Sequence, residues 1–465
     1  MNIAETIDAF RRGSLELDCP KMTLKQVRAG GACFEGPGYI RQAADGGLSF
    51  KIYVIARENA HPFATLAGNG AIGKLHADDS FFELTAITQD GTALSANRIL
   101  PVPHWNLHDD TLQMLGPLQS IVAFLERNQP DSYLRLHFFE EYEVPLFLAS
   151  ETEIHGVPYA VVDRAKFESA ECEFEVRRRE GSGETILEVN SVKQFPRAFN
   201  LRLQEALQYI TARSAFWRAR IERTDRGLEV ELTSPLRKSS HTQMDPPLSR
   251  FTGDWRTHTW PLFCSYLAYV VAKTDGTHWN PVAYHHYNAT ESSANSVDAW
   301  AIGVSVAVEA VTSLITLESP EGESKKLSDF RKAICEFVAG LPLYADFAPR
   351  ITGLLNSMNN KRPQDVLHAL AKKGRVEKNY ISAWSHLRNR HVHPKLKDLN
   401  IPSPIDYQQL LDNIHRTEVL LRQLTFYLIG YEGMFTDYGV ENWPSKRYPL
   451  AIDATWQPPG EFDGD

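Results

Sequence analysis

The stretch "SANSVDAWAIGVSVAVEAVTSLITL", residues 293–317, decides how this chain is read. Its apolar residues run almost unbroken, as in a membrane span, yet Glu309 stands near the middle, where hydrocarbon would cost the charge roughly 2–3 kcal/mol or more. A buried helix with one acidic side chain is the better reading. "WPLFCSYLAYVVA" (260–272) is too short to cross a bilayer, so it also reads as a buried helix, and no membrane partner is expected.

Working outward, the two sides of this helix differ in texture. Downstream, "KLSDFRKAICEFVAGL", "YADFAPRITGLLNSMN", "PQDVLHALAKKG", "NYISAWSHLRNRHVH" and "DYQQLLDNIHRTEVLLRQLTFYLIGYEG" carry apolar residues at helical spacing with few breakers inside. Upstream, "LSFKIYVIA" (48–56), "SFFELTAIT" (80–88) and "SYLRLHFFEEYEV" (132–144) alternate as strands do, and "ECEFEVRRREGSGETILEVNSV" (171–192) reads as a hairpin turning at Gly181-Ser182-Gly183. Helices are expected at about 111–127 and 199–213, a hairpin near 215–233 and a long loop from Pro235 to Pro247. The expected fold class is α+β. A β-rich N-terminal region (1–290, divisible near 150) precedes an all-α bundle (291–432) and an irregular tail (433–465).

With 465 residues, 43% of them apolar, the chain has enough material for more than one core. A net charge of −9 argues against a surface that grips nucleic acid everywhere, while leaving room for a local basic face. The five cysteines include no Cys-x-x-Cys pair, and "MNIAETIDAFRRGSLELD" lacks the apolar run of a signal peptide; a reducing cytoplasm is expected.

Three clusters invite functional readings that their context weakens. Gly68-Asn69-Gly70-Ala71-Ile72-Gly73-Lys74 matches a dinucleotide fingerprint, but the sequence continues toward another strand and not the helix a pyrophosphate needs, so a β-turn is expected. His278, His285 and His286 in "THWNPVAYHHYN" have no carboxylate or cysteine at ligand spacing and read as a packed aromatic loop. Arg177-Arg178-Arg179 reads as a solvated strand end, with an RNA contact as its alternative.

Charge is segregated between Lys361 and Lys397. Lys361, Arg362, Lys372, Lys373, Arg375, Lys378, Arg388, Arg390, Lys395 and Lys397 face only Asp365 and Glu377, so this segment carries +8 on an otherwise acidic chain. Such an island is the footprint of a phosphate-binding face, since phosphate neutralisation supplies most non-specific affinity for nucleic acid. Inside it lies "LRNRHVHP". An arginine followed by a histidine after four to six residues arises roughly three times by chance in a chain of this composition, and Arg362 to His368 is such a match. Requiring Asn directly after the Arg, with His five residues after the Arg, lowers the expectation to roughly 0.04.

The geometry suits RNA cleavage. On a helix from about Lys378, Asn389 and His393 share a face, Arg388 flanks them, and Pro394 ends the helix so that the imidazole stands at an open terminus. His393 would move protons near neutral pH, Arg388 would neutralise the phosphorane-like transition state, and Asn389 would orient the ring or bind phosphate. Attack by the ribose 2′-OH gives a 2′,3′-cyclic phosphate and a 5′-OH end. Neither cofactor nor metal is required. The bland alternative is a cation cluster that complements a helix C-terminus, with His393 as a cap.

"LRNRHVHP" at a helix end in a helical domain resembles the HEPN family, whose ribonuclease members share an Arg-x4-6-His motif. The resemblance covers about residues 293–432 and places the family pattern on Arg388, Asn389 and His393. It implies a HEPN-like bundle that forms a homodimer, two motifs facing one cleft, and a long first helix whose inward acidic residue, here Glu309, orients Arg388. RNA would be the partner, held by Arg390, Lys395, Lys397, Lys372, Lys373, Arg375 and Lys378. The order of a β-rich region and a C-terminal HEPN-like domain is similar to ApeA-type proteins of bacterial antiphage defence. That similarity implies an abortive-infection effector that cleaves RNA, tRNA among its candidates, under control of the N-terminal region and a phage trigger. The competing expectation is a HEPN-like module that binds RNA, nucleotide or protein without cleaving.

Overall fold

The computed structural model describes residues 2–59, 75–106, 108, 110–125, 132–154, 157–179, 181, 183–224, 227–235, 242–317, 323–340, 347–357, 362–392 and 404–451. Contacts divide the chain into two compact units, Met1–Gln204 with Ala215–Ser239, and Glu205–Ser214 with Ser240–Asp465. The first is β-rich and the second helical, so the class is α+β as expected.

In the first unit the strands are β1 (Glu16–Gln26), β2 (Cys33–Gln42), β3 (Leu48–Tyr53), β4 (Ala56–Glu58), β5 (Phe82–Ile87), β6 (Ala93–Ile99), β7 (Val102–Asn106), β8 (Thr111–Leu118), β9 (Ser120–Leu125), β10 (Ser132–Phe138), β11 (Leu148–Ile154), β12 (Val157–Ser169), β13 (Cys172–Arg179), β14 (Glu184–Ser191), β15 (Ala219–Thr224) and β16 (Gly227–Thr233). They form one sheet ordered β11-β12-β13-β14-β10-β15-β16-β9-β6-β5-β1-β2-β3-β8-β7, with β4 beside β2. Local hairpins make most neighbours. β10, inserted between β14 and β15, and β9, between β16 and β6, join hairpins that are distant in sequence. Period-two burial explains the strands: Phe82, Leu84 and Ala86 of β5 are buried while Glu83, Thr85 and Ile87 are exposed. The N-terminal helix α1 (Ile3–Arg11), capped by the Asn2 side chain, buries Ile7 and Phe10 in the same core as Met22, Phe34, Phe50 and Ile221.

One expectation fails here. The helix expected at 111–127 is the strand pair β8 and β9, because Leu112, Met114 and Leu118 alternate toward the core and Gly116-Pro117 breaks any helical run. By contrast, the hairpin β13–β14 and a helix α2 (Phe199–Thr211) stand where the sequence predicted them. The glycine cluster 68–74 lies outside the described residues.

The second unit contains α3 (Trp255–Lys273), α4 (Pro281–Ser293), α5 (Val297–Ser313), α6 (Glu323–Ala339), α7 (Ala348–Ser357), α8 (Pro363–Lys372), α9 (Lys378–Leu387), a π-helical turn over Arg388–Val392, and α10 (Pro404–Ile429). It includes α3 and the start of α4, upstream of residue 290. The histidine cluster read as a loop enters α4, since Asn280 caps its N-terminus by accepting from the Val282 N–H at 2.9 Å and Pro281 suits the first turn. The segment expected to be an irregular tail begins with a hairpin, β17 (Gly433–Thr436) and β18 (Ser445–Tyr448), which buries Phe435 and Tyr448 against Phe426 of α10. Among the described residues no helix is long and apolar enough to cross a membrane.

Candidate functional site

The 293–317 stretch becomes α5, and α5 is the element on which the motif is mounted. Ser296 caps it by accepting from the Ala299 N–H at 3.1 Å, and Trp300, Ala301, Val304, Ala307, Val308 and Val311 are buried at helical spacing. α4, α8, α9, α10 and the π turn all pack against it. The remaining stripe is exposed: Ile302 is 40% and Val306 46% accessible, with Glu309 on the same side at 40%.

α9 carries the motif. Its Tyr380, Ile381, Trp384 and Leu387 are buried, and the Trp384 indole N–H donates to the Ser305 carbonyl of α5 at 3.0 Å, fixing the two helices together. At Arg388 the chain widens into the π-helical turn. A proline at 394 has no N–H to donate, and in an α-helix its ring would clash with the carbonyl four residues earlier, so the sequence disfavours a regular α end here.

Arg388 grips Glu309 with two hydrogen bonds, Nε to Oε2 at 2.8 Å and Nη2 to Oε1 at 3.3 Å. The bidentate bond holds the guanidinium proton more firmly than usual and fixes its plane at a partly open position, where the arginine side chain is 31% exposed. Asn389 is exposed on the turn. The i, i+4 relation expected of Asn389 and His393 falls outside the described residues, which here end at Val392 of this turn. His393, Lys395 and Lys397 lie outside the described residues.

His391, for which the sequence offered no role, packs inward. Its side chain is 9% exposed, Nδ1 lies 3.4 Å from Asp298 Oδ1 in the first turn of α5, and Nε2 is buried without a partner among the described residues. Burial lowers its pKa and Arg390 adds to this, while Asp298 opposes both. Two carboxylates of α5 therefore hold two side chains of the turn.

The structure separates the expected phosphate contacts. Lys372, Lys373 and Lys378 are exposed and Arg375 is half-buried, but this group precedes α9 or opens it, so α9 puts Lys378 roughly 15 Å along its axis from Arg388. The two acidic residues of the basic segment are already engaged. Asp365 pairs with Arg362 at 2.9 Å, and Glu377 with Lys446 of β18 at 3.0 Å.

A second polar cluster escaped the sequence reading. Asp245, His415 and Glu418 place one potential ligand atom each within 4.8 Å of one another. A protein cation stands beside it: Arg422 Nη2 lies 3.3 Å from Glu418 Oε2 and donates to the Asp245 backbone carbonyl, while the Trp300 indole donates to Glu418 Oε1 at 2.6 Å. Burial pushes Glu418 up to about 8. This network ties α10 to α5 and already supplies the positive charge an ion would bring. The spacing of His415, Glu418 and Arg422, i, i+3 and i+7, was its only signal in the sequence. Among the other histidines, His286 is a core residue. Its Nε2 bonds Thr425 Oγ1 at 2.8 Å, and its ring meets Tyr209 edge-on.

Compared with known proteins, the chain matches no family model, no curated protein and no solved structure.

Proposed function

We propose that the helical unit is a metal-independent endoribonuclease of the HEPN type, working as a homodimer in abortive-infection defence, with RNA of the tRNA class as substrate. The observation that carries this reading is Arg388: a guanidinium held bidentately by Glu309, partly open to solvent, on a widened turn that ends one residue before His393. In the reaction the 2′-oxygen bonds to phosphorus, its proton passes to His393, and the bond from phosphorus to the 5′-oxygen breaks. A second imidazole, from the other copy, protonates the leaving 5′-oxygen. Arg388 stabilises the extra negative charge on the phosphoryl oxygens, and Asn389 hydrogen-bonds phosphate or the His393 ring.

Dimerisation through α5 is supported by Ile302 and Val306, whose exposed side chains share a stripe with Glu309. The exposed lysines before α9 extend the phosphate-binding surface away from the reacting bond, where contacts add affinity without sequence preference. The deciding experiment expresses the wild type, Arg388→Ala and His393→Ala in bacteria with and without phage and maps RNA ends. Expected are cyclic-phosphate ends from the wild type alone, unchanged by excess EDTA in a purified assay. Absence of cleavage under phage challenge, or cleavage by both variants at the wild-type rate, rejects the proposal; retained RNA affinity without cleavage supports a binding module instead.

A further inference from the structure

His391 is buried in the motif turn, yet the reaction proposed above gives it no task. Asn389 on the same turn is exposed, and Arg390 and Val392 are half-buried, whereas the His391 side chain is 9% exposed and faces the first turn of α5.

By packing alone an imidazole is a poor choice for this position. With Nδ1 facing Asp298 Oδ1 at 3.4 Å, the ring proton sits on Nδ1, because a carboxylate offers acceptors only. Nε2 is then a buried acceptor with no donor among the described residues. An orphaned buried acceptor costs more than a contact to a carboxylate that is 77% exposed contributes. Leucine would fill the same space without orphaning anything. Local choices that lower stability are characteristic of functional positions.

The placement of the two carboxylates shows what the ring can do there. Asp298 and Glu309 are 11 residues apart on α5, roughly 16 Å along its axis at 1.5 Å per residue. Arg388 and His391 are three residues apart, roughly 5 Å or less along the turn. Their side chains therefore reach in opposite directions along α5, Arg388 toward its C-terminal half and His391 toward its N-terminus. A single tie would leave the turn free to slide toward it, and two opposed ties stop movement both ways. Asn389 and Arg390 stand between the ties.

We propose that His391 is a positioning residue: its ring, oriented by Asp298, braces the turn along α5 against the pull of the Arg388–Glu309 pair and so sets where Arg388 and Asn389 meet the phosphate. The consequence for RNA rests on the ribonuclease reading, while the brace itself does not. His391 touches neither the 2′-oxygen nor the leaving oxygen in this scheme.

The test compares the full-length wild type with His391→Leu, His391→Asn, Asp298→Ala and the double variant His391→Leu with Asp298→Ala. Single-turnover cleavage of a labelled RNA, thermal melting and hydrogen exchange of the amides of residues 388–392 are measured on each. His391→Leu should melt no lower than the wild type, yet lose about 10-fold in kcat with KM little changed, and its turn amides should exchange about 3-fold faster or more. A merely structural role predicts the reverse pairing, activity lost in step with stability. Asp298→Ala, at an exposed position, should shift exchange and kcat in the same direction, and the double variant should be no worse than His391→Leu. His391→Asn, whose amide nitrogen can stand where Nδ1 does, should recover part of the kcat that leucine loses. The proposal is overturned if His391→Leu cleaves and exchanges like the wild type, if its kcat falls only as its Tm falls, if the two single losses multiply, or if asparagine is no better than leucine. If the wild type cleaves no RNA, the ribonuclease reading fails by itself and exchange decides the brace: faster exchange of the turn in His391→Leu upholds it, and unchanged exchange overturns it.

Discussion

Replacing Glu309 by alanine removes the support of Arg388 and leaves the arginine itself in place. Two charge-assisted bonds of 2.8 and 3.3 Å would contribute about 1.5–3 kcal/mol each if buried. With side chains 31% and 40% exposed, screening reduces the pair to about 1 kcal/mol. That corresponds to a Tm lowered by about 2–4 °C in a unit of this size. The effect on RNA cleavage is expected to be larger. A released arginine regains about 1–2 kcal/mol of rotamer freedom that the transition state must then remove, a loss of about 5- to 30-fold in kcat with KM little changed. On the proposed ribonuclease reading, Arg388→Ala deletes the cation that stabilises the transition state and should cost about 10²–10³-fold. The double variant should match Arg388→Ala alone, because once the guanidinium is absent there is nothing for Glu309 to place. Glu309→Gln, which retains one acceptor oxygen, should fall between wild type and alanine. Single-turnover cleavage of an end-labelled RNA, with thermal melts of each variant, measures all of this. Wild-type rates for Glu309→Ala, or fully multiplicative losses in the double variant, would refute the reasoning.

Other consequences follow from packing and burial. At Gly303 on α5 a Cβ would lie 2.5 Å from Ser292 Cβ and 2.6 Å from its Oγ, so Gly303→Ala should force α4 and α5 apart and cost about 1–3 kcal/mol in a denaturant titration. Burial depresses His286 to about 3 from its ordinary 6.5. The native state therefore keeps a neutral ring while the unfolded chain takes up a proton: stability is full above pH 6.5, falls as pH drops toward 3, and is lower by about 3 kcal/mol at pH 4.5. His286→Gln, which keeps a donor toward Thr425, should flatten that slope in pH-dependent unfolding. Ile302→Arg with Val306→Arg, at positions 40% and 46% exposed, should leave the melting temperature nearly unchanged, convert dimer to monomer in sedimentation, and abolish cleavage.

How much of this the sequence disclosed depended on whether the cause was local. The strand-to-helix change was legible because period-two and helical burial are properties of neighbouring residues, and Glu309 led α5 to be read as a buried helix, although the stripe of Ile302, Val306 and Glu309 is exposed. "TLQMLGPLQSIVAFL" was misread because isolated apolar residues also satisfy a helical spacing, and the Gly116-Pro117 break outweighs them only when β3 and β16 are present to pair. The Arg388–Glu309 pair was anticipated from the resemblance, whereas Asp298 and His391, 93 positions apart, left no local trace. A cavity of about 1200 Å³ in the first unit escaped for the same reason. Arg177–Arg179 stood out as a charge run, but the cavity it lines is assembled only through the β10–β14 and β13–β14 registers.

α5 gives these separate observations one mechanical cause. Asp298, Trp300, Ser305 and Glu309 meet, in order along one helix, His391, Glu418, Trp384 and Arg388. Hydrogen-bonded helix backbone spaces such groups by 1.5 Å per residue, so the anchor points are fixed relative to one another more tightly than a loop could fix them. The Trp300 link to Glu418 is buried, and Arg422 of the same helix holds the other oxygen of that carboxylate, so rotating α5 would leave the Trp300 N–H and Glu418 Oε1 buried without each other. Rotation is also the movement that would carry Glu309 away from Arg388. The buried network and the exposed ion pair are therefore coupled: weakening Glu418 or Arg422 should loosen Arg388 from a distance, lowering kcat along with stability, while substitutions in α6 or α7, which do not pack on α5 among the described contacts, should alter neither in that proportion.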